Sequence, residues 1–198
     1  MDFTTTLGPT RETLTHAWER FATLPLTTES NSSPIGERGW TCDLLDVVEP
    51  FVLAATAHPG DIVRYRDLDW SAAVNLMALL PRAALADKQN AAPSLGSVLT
   101  AAVENPREVE VHGYLVPPSR PDERISTEGI VVYDHPELEE FVLPEIDDVH
   151  DESRCGCGPF WSSVQASLGL DDAGSPPQVI RRRQCRRTRR SGWYLWWT

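Results

Sequence analysis

Apolar residues recur at helical spacing near the start of the chain, where Leu14, Ala17, Trp18, Phe21 and Ala22 fall on one face after a Thr10 cap. Arg11, Glu12, Glu19 and Arg20 fill the opposite face, so residues 10–22 are expected to form an amphipathic helix. From Pro25 to Gly39 the chain is rich in Thr, Ser, Asn, Pro and Gly and has no period, which reads as a loop. A second helix is expected from Asp43 to Ala57, broken or kinked at Pro50.

After the turn at His58-Pro59-Gly60, Asp61 to Arg66 alternates enough for a short strand, and Ser71 to Leu80 returns to an apolar helical pattern. Pro81 either ends that helix or kinks it on the way to Leu85. A further helix from Ser94 to Glu104 places Leu95, Val98, Leu99 and Ala102 on one side and stops at Asn105-Pro106.

The clearest strand is Val109 to Val116. Val109, Val111, Gly113 and Leu115 share one face, and Glu110, His112 and Tyr114 share the other, which is expected to point outward. Gly129 to Tyr133 supplies its hairpin partner across a proline-rich polar loop, Pro117 to Arg124, too polar to be core. A short helix from Pro136 to Val142, an acidic stretch, a helix opening near Pro159 with Phe160, Val164 and Leu168 inward, and a closing strand through Trp193 to Trp197 complete the pattern. Helices grouped around a few strands predict an α+β fold with a small mixed or antiparallel sheet; a doubly wound fold is the alternative. No repeat with a period of 20 to 50 residues points to a solenoid or propeller.

Charge divides the chain unevenly. Seven of its 18 basic residues are arginines between Arg181 and Arg190, where no acid occurs, so residues 1–180 hold 11 bases against 29 acids, a balance of −18, and residues 181–198 carry +7. The expected organisation is an acidic globular domain over residues 1–180 and an Arg/Trp-rich segment over 181–198 that forms a terminal strand of the same domain. Lys88 is the only lysine beside seventeen arginines, as in the product of a GC-rich gene, and out-of-frame translation of such DNA also yields Arg, Pro and Trp. The final segment is therefore open to two origins, selected element or frameshift product.

No run reaches the roughly 18 apolar residues of a membrane helix, and the first thirty residues lack a signal-peptide apolar segment, so the expectation is a cytoplasmic protein without a membrane partner. Cys42, Cys155, Cys157 and Cys185 are too few for a disulfide scaffold. The phosphate loop, the G-x-S-x-G elbow, H-E-x-x-H and the dinucleotide fingerprint are all missing, which removes the sequence signatures of the common NTPases, hydrolases and dehydrogenases.

Three constellations carry candidate chemistry. His150, Cys155 and Cys157 with the distant Cys185 have the donor types for zinc, although paired zinc cysteines usually stand two to four residues apart and here one residue intervenes. Glu145, Asp147, Asp148, Asp151 and Glu152 form an acidic patch around His150 that fits a hard cation or, more simply, a solvated face opposite the arginines. Exposed ion pairs contribute about 0 to 1 kcal/mol each, so only a network of them matters. Arg181, Arg182, Arg183, Arg186, Arg187, Arg189 and Arg190, joined to Trp193, Tyr194, Trp196 and Trp197, offer phosphate contacts beside stacking rings, as single-stranded nucleic acid requires; alternatively the rings are core. His16, His58, His112 and His135 read as surface or satisfied histidines, although His112, Tyr114 and the loop residues Arg120, Asp122, Glu123 and Arg124 can meet at the hairpin's end.

The sequence thus favours a non-catalytic interaction protein that uses its acidic surface and arginine segment to contact a protein partner or its own body. Nucleic-acid binding through the Arg/Trp-rich end is the alternative, and a metalloprotein or enzyme centred on His150, Cys155 and Cys157 is the third. No cofactor is expected: the glycine-rich turn at Cys155–Gly158 reads first as a lead into the Pro159 helix with incidental thiols, and zinc is the alternative.

Overall fold

The computed structural model describes residues 35–53, 62–134 and 157–197. The expected helices at 10–22 and 136–142, His150, Cys155 and the acidic patch at 145–152 lie outside them. Within them the fold is α+β, and its sheet is antiparallel throughout. Five strands, β1 (Val63–Leu68), β2 (Val109–Val116), β3 (Arg124–Tyr133), β4 (Val179–Gln184) and β5 (Ser191–Trp196), lie in the order β1-β2-β3-β5-β4. The helices are α1 (Leu45–Val48), α2 (Trp70–Leu79), α3 (Arg82–Leu85), α4 (Leu95–Glu104) and α5 (Cys157–Leu168). Among the described residues no helix is long and apolar enough to cross a membrane.

The alternation in β2 works as expected on one face. Val109, Val111 and Leu115 join Val63, Tyr65, Leu68, Ile125, Ile130 and Val132 in the main core, against which α2, α4 and α5 place Leu76, Leu99 and Phe160. Gly113 sits on this face for lack of room: a Cβ there would lie 1.9 Å from the Ser126 carbonyl oxygen and 2.5 Å from the Tyr65 hydroxyl. The other face of β2 is buried too, with His112 1% exposed, so the expected outward direction for His112 is wrong. That face is packed by the last two strands, whose Arg183 and Tyr194 lie against His112.

Local chemistry sets most element ends. Asp69 caps α2 by accepting from the Ala72 amide, and Ser94 caps α4 through the Ser97 amide. Pro81 ends α2 rather than kinking it: Leu80 turns extended before the proline, and α3 starts afresh at Arg82. The expected helix from Asp43 is instead a 3₁₀ turn (Trp40–Leu44), the single turn α1 and a second 3₁₀ turn (Glu49–Phe51). Pro50 has no amide for a continuing ladder, and Val52 leaves in extended form to bridge Tyr65. β3 begins five residues before the expected Gly129, because Ile125 to Thr127 pair with β2.

The proline-rich loop is less exposed than its polarity suggests. Pro117 and Pro118 are buried, and the Glu123 carboxylate, 1% exposed, accepts from the Gly39 and Thr41 amides and the Thr41 hydroxyl. Arg120 pairs with Asp122 in the loop, whereas Arg124 reaches Tyr114 and Gln89. These residues brace the hairpin end instead of lining one site.

The arginine segment contains a strand that the sequence pattern hides. β4 is an edge strand, and β5 lies between it and β3. Trp193, Tyr194 and Trp197 are buried, with Trp193 against Phe160 at 5.2 Å and Trp197 edge-on to Trp161 at 5.5 Å.

Candidate functional site

Two bulges build the most unusual part of the molecule. Between the pairs Tyr65–Gly113 and Leu68–Val111, two residues of β1, Arg66 and Asp67, stand opposite the single residue His112. Between His112–Gly129 and Gly113–Thr127, β3 has an extra residue, Glu128. Bulges re-aim side chains, and Asp67 shows the backbone consequence with φ +58°, a left-handed conformation that non-glycine residues seldom adopt. The result is a buried polar cluster of Asp67, Glu110 and His112, to which the end of β4 adds Arg183 and Cys185.

The hydrogen bonds define the state of each group. Arg183 donates to His112 Nδ1 at 2.7 Å, which leaves the imidazole proton on Nε2, 3.4 Å from Asp67 Oδ1. Burial, reinforced by Arg183 and Arg66, holds the His112 pKa well below its ordinary value, so the ring is neutral at pH 7. Arg66 is itself shifted down, by burial first and by Arg183 second. Asp67 Oδ2 accepts from the Arg186 amide at 3.2 Å, and Arg183 lies 3.5 Å from Oδ1, yet Oδ1 has no hydrogen bond. Glu110 accepts from the Tyr133 hydroxyl at 2.7 Å and faces the Cys185 thiol at 3.8 Å. Burial pushes the Glu110 carboxyl up, and the Asp67 charge adds to the shift.

The seven arginines have unlike surroundings. Arg183 is half-buried in this cluster, Arg187 pairs with Asp69 at 2.8 Å, and Arg190 pairs with Asp134 at 2.8 Å. Arg181 lies over the Tyr194 ring and Arg182 over the Trp193 ring, the latter at 4.0 Å. Arg186 and Arg189 project from the β4–β5 turn, in which Arg189 takes φ +63°. Arg181, Arg182, Arg186 and Arg189 are exposed and show no ion pair among the described residues.

Of the candidate zinc donors inside the described residues, Cys157 belongs to the main core at the start of α5, whereas Cys185 belongs to the cluster with Val131, Tyr133 and Tyr194. The structure places the two in different apolar clusters. It joins Cys185 instead to Asp67 and Glu110, two carboxylates that sequence spacing could not connect.

A second feature lies on the outside of α2. The helix contains no charged residue, and Trp70, Val74 and Met77, spaced to share one stripe, are 47%, 41% and 36% exposed. The neighbouring segment, which contacts α2 through its first 3₁₀ turn and α1, places Asp43, Asp46 and Glu49 at three-residue intervals, the first two exposed and the third half-buried. The expectation of an acidic surface thus meets an apolar stripe that composition did not reveal.

Comparison with family models, with curated proteins and with solved structures gives no match for this chain.

Proposed function

We propose that the protein is a non-catalytic interaction module that holds a basic amphipathic helix of a partner protein along α2. The observation that carries this reading is the exposed stripe of Trp70, Val74 and Met77 on a helix without charge. Solvent-facing helix surfaces are normally polar, and a large exposed indole is a common anchor at protein interfaces. The three side chains span about 10 Å, two turns of an apposed helix. Asp43, Asp46 and Glu49, on the segment that packs against α2, favour a partner whose apolar face is bordered by lysine or arginine. The ion pairs of Arg183, Arg187 and Arg190 support a role for the arginine segment in holding the protein's own body.

Two synthetic peptides with the same leucine face, one bordered by lysine and one by glutamate, test the proposal by titration calorimetry. Binding of the lysine peptide at least about tenfold tighter than the glutamate peptide is expected, and Val74→Glu should abolish it while leaving the fold intact. Equal binding of both peptides, or lysine-peptide binding that survives Val74→Glu, overturns it. Light scattering that shows a dimer lost in Val74→Glu would assign the stripe to a second copy of the chain and reject the basic partner.

A second reading, single-stranded nucleic acid, rests on the exposed Arg181, Arg182, Arg186 and Arg189. It requires affinity that falls with salt and with substitution of those four residues, while remaining indifferent to Val74→Glu.

A further inference from the structure

We infer that Asp67, Glu110 and Cys185 form a site for a borderline-soft divalent cation, with zinc as the ion that fits them best. The three residues come from the β1 bulge, β2 and the position just after β4, and their ligand atoms all lie within 4.8 Å of one another. Each is buried, with exposures of 2%, 9% and 0%. Donors around a tetrahedral zinc stand roughly 3.3 to 3.8 Å apart, so side-chain movements of about 1 Å close the site.

The independent indication is Asp67 Oδ1. This oxygen is buried on a side chain 3% exposed and makes no hydrogen bond, and its carboxylate belongs to the cluster whose other donors are Glu110 and Cys185. An unsatisfied buried carboxylate oxygen is costly, and a second buried carboxylate within 4.8 Å raises that cost unless a cation lies between them. The left-handed backbone at Asp67 holds the carboxylate in place. His112 Nε2 and the Arg183 guanidinium stand 3.4 and 3.5 Å from Oδ1, and neither hydrogen-bonds to it.

Donor chemistry narrows the ion. A thiol among the ligands disfavours calcium and magnesium, which take sets of oxygen donors, and favours zinc and its neighbours. Binding exchanges the Cys185 S–H bond for a sulfur–zinc bond, and the proton leaves to solvent; no electron is transferred. Two carboxylates and a thiolate exceed the ion's charge by one. Arg183, 3.5 Å from Asp67 Oδ1, offsets the excess. A site this enclosed is loaded as the chain folds, so the metal stabilises the fold rather than exchanging freely.

The test uses the full chain, produced without a histidine tag and refolded with zinc or cobalt. About one zinc per chain and one proton released per zinc are expected, with metal content falling to less than about a tenth in Cys185→Ala and in Asp67→Asn. Cobalt should give thiolate charge-transfer absorption that persists in a Cys155→Ser/Cys157→Ser variant, a readout that does not depend on whether changes at Cys185 fold. No bound metal after refolding overturns the inference. So does metal retained in Cys185→Ala, or a cobalt band lost with Cys155 and Cys157, which would place the ion elsewhere.

Discussion

Asp69 holds Arg187 at 2.8 Å with one carboxylate oxygen while the other accepts the Ala72 amide at the start of α2. One side chain thus ties the helix with the exposed stripe to the β4–β5 turn. The neighbouring link, from the Arg186 amide to Asp67, joins the ends of β1 and β4, strands at opposite edges of the sheet.

The two roles of Asp69 separate by mutation. Asp69→Ala should cost about 1 kcal/mol, mostly through the lost cap, and Arg187→Ala about 0.5 kcal/mol, because its ion pair is partly exposed. A double-mutant cycle by urea denaturation should return a coupling below about 1 kcal/mol.

Deleting residues 191–198 should abolish the native fold. It removes β5, which pairs with both β3 and β4, together with the buried Trp193, Leu195 and Trp197. Loss of the near-ultraviolet circular dichroism and of cooperative melting is the expected result. A truncated chain that melts at the full-length temperature would contradict the central place of β5.

Gly113→Ala should destabilise by more than about 2 kcal/mol, because the added methyl meets backbone, the Ser126 carbonyl oxygen, and the fixed Tyr65 ring. Gly158→Ala is the control. Nothing lies within 4 Å of a Cβ at that position, and its stability should change by less than about 0.5 kcal/mol. Chemical denaturation of the two variants checks the contrast.

Stability should fall as the solution is acidified below about pH 6.5, since the unfolded chain protonates His112 while the folded chain keeps it neutral. The slope from this residue approaches about 1.4 kcal/mol per pH unit. Glu110 acts oppositely: its raised folded pKa adds stability as pH falls toward its unfolded value near 4.5. Measuring the wild type against His112→Gln between pH 7 and 5 isolates the histidine, and equal slopes in the two proteins would refute its neutral burial.

Several elements were legible because their signals are local. β2 alternates from Val109 to Leu115, Ser94 stands one residue before a helix with a continuous apolar side, and Pro81 stops α2. The aromatics at 193–197 announced a strand for the same reason. Of the buried cluster, the sequence pattern marks only Cys185 as a donor, and groups it with His150, Cys155 and Cys157.

The sequence by itself determined the fold class, the central hairpin and the contrast between an acidic body and a cationic end, since each depends on residues close together in the chain. Tertiary structure decided where that cationic end goes. β4 buries Ile180 and leaves Arg181 and Arg182 outside, so an edge strand with so few inward side chains has no alternation to read. It also decided the meeting of Asp67, Glu110, His112 and Cys185, which depends on two bulges and on closure between strands far apart in sequence. Such closure follows from how the whole sheet packs, and local spacing carries no record of it.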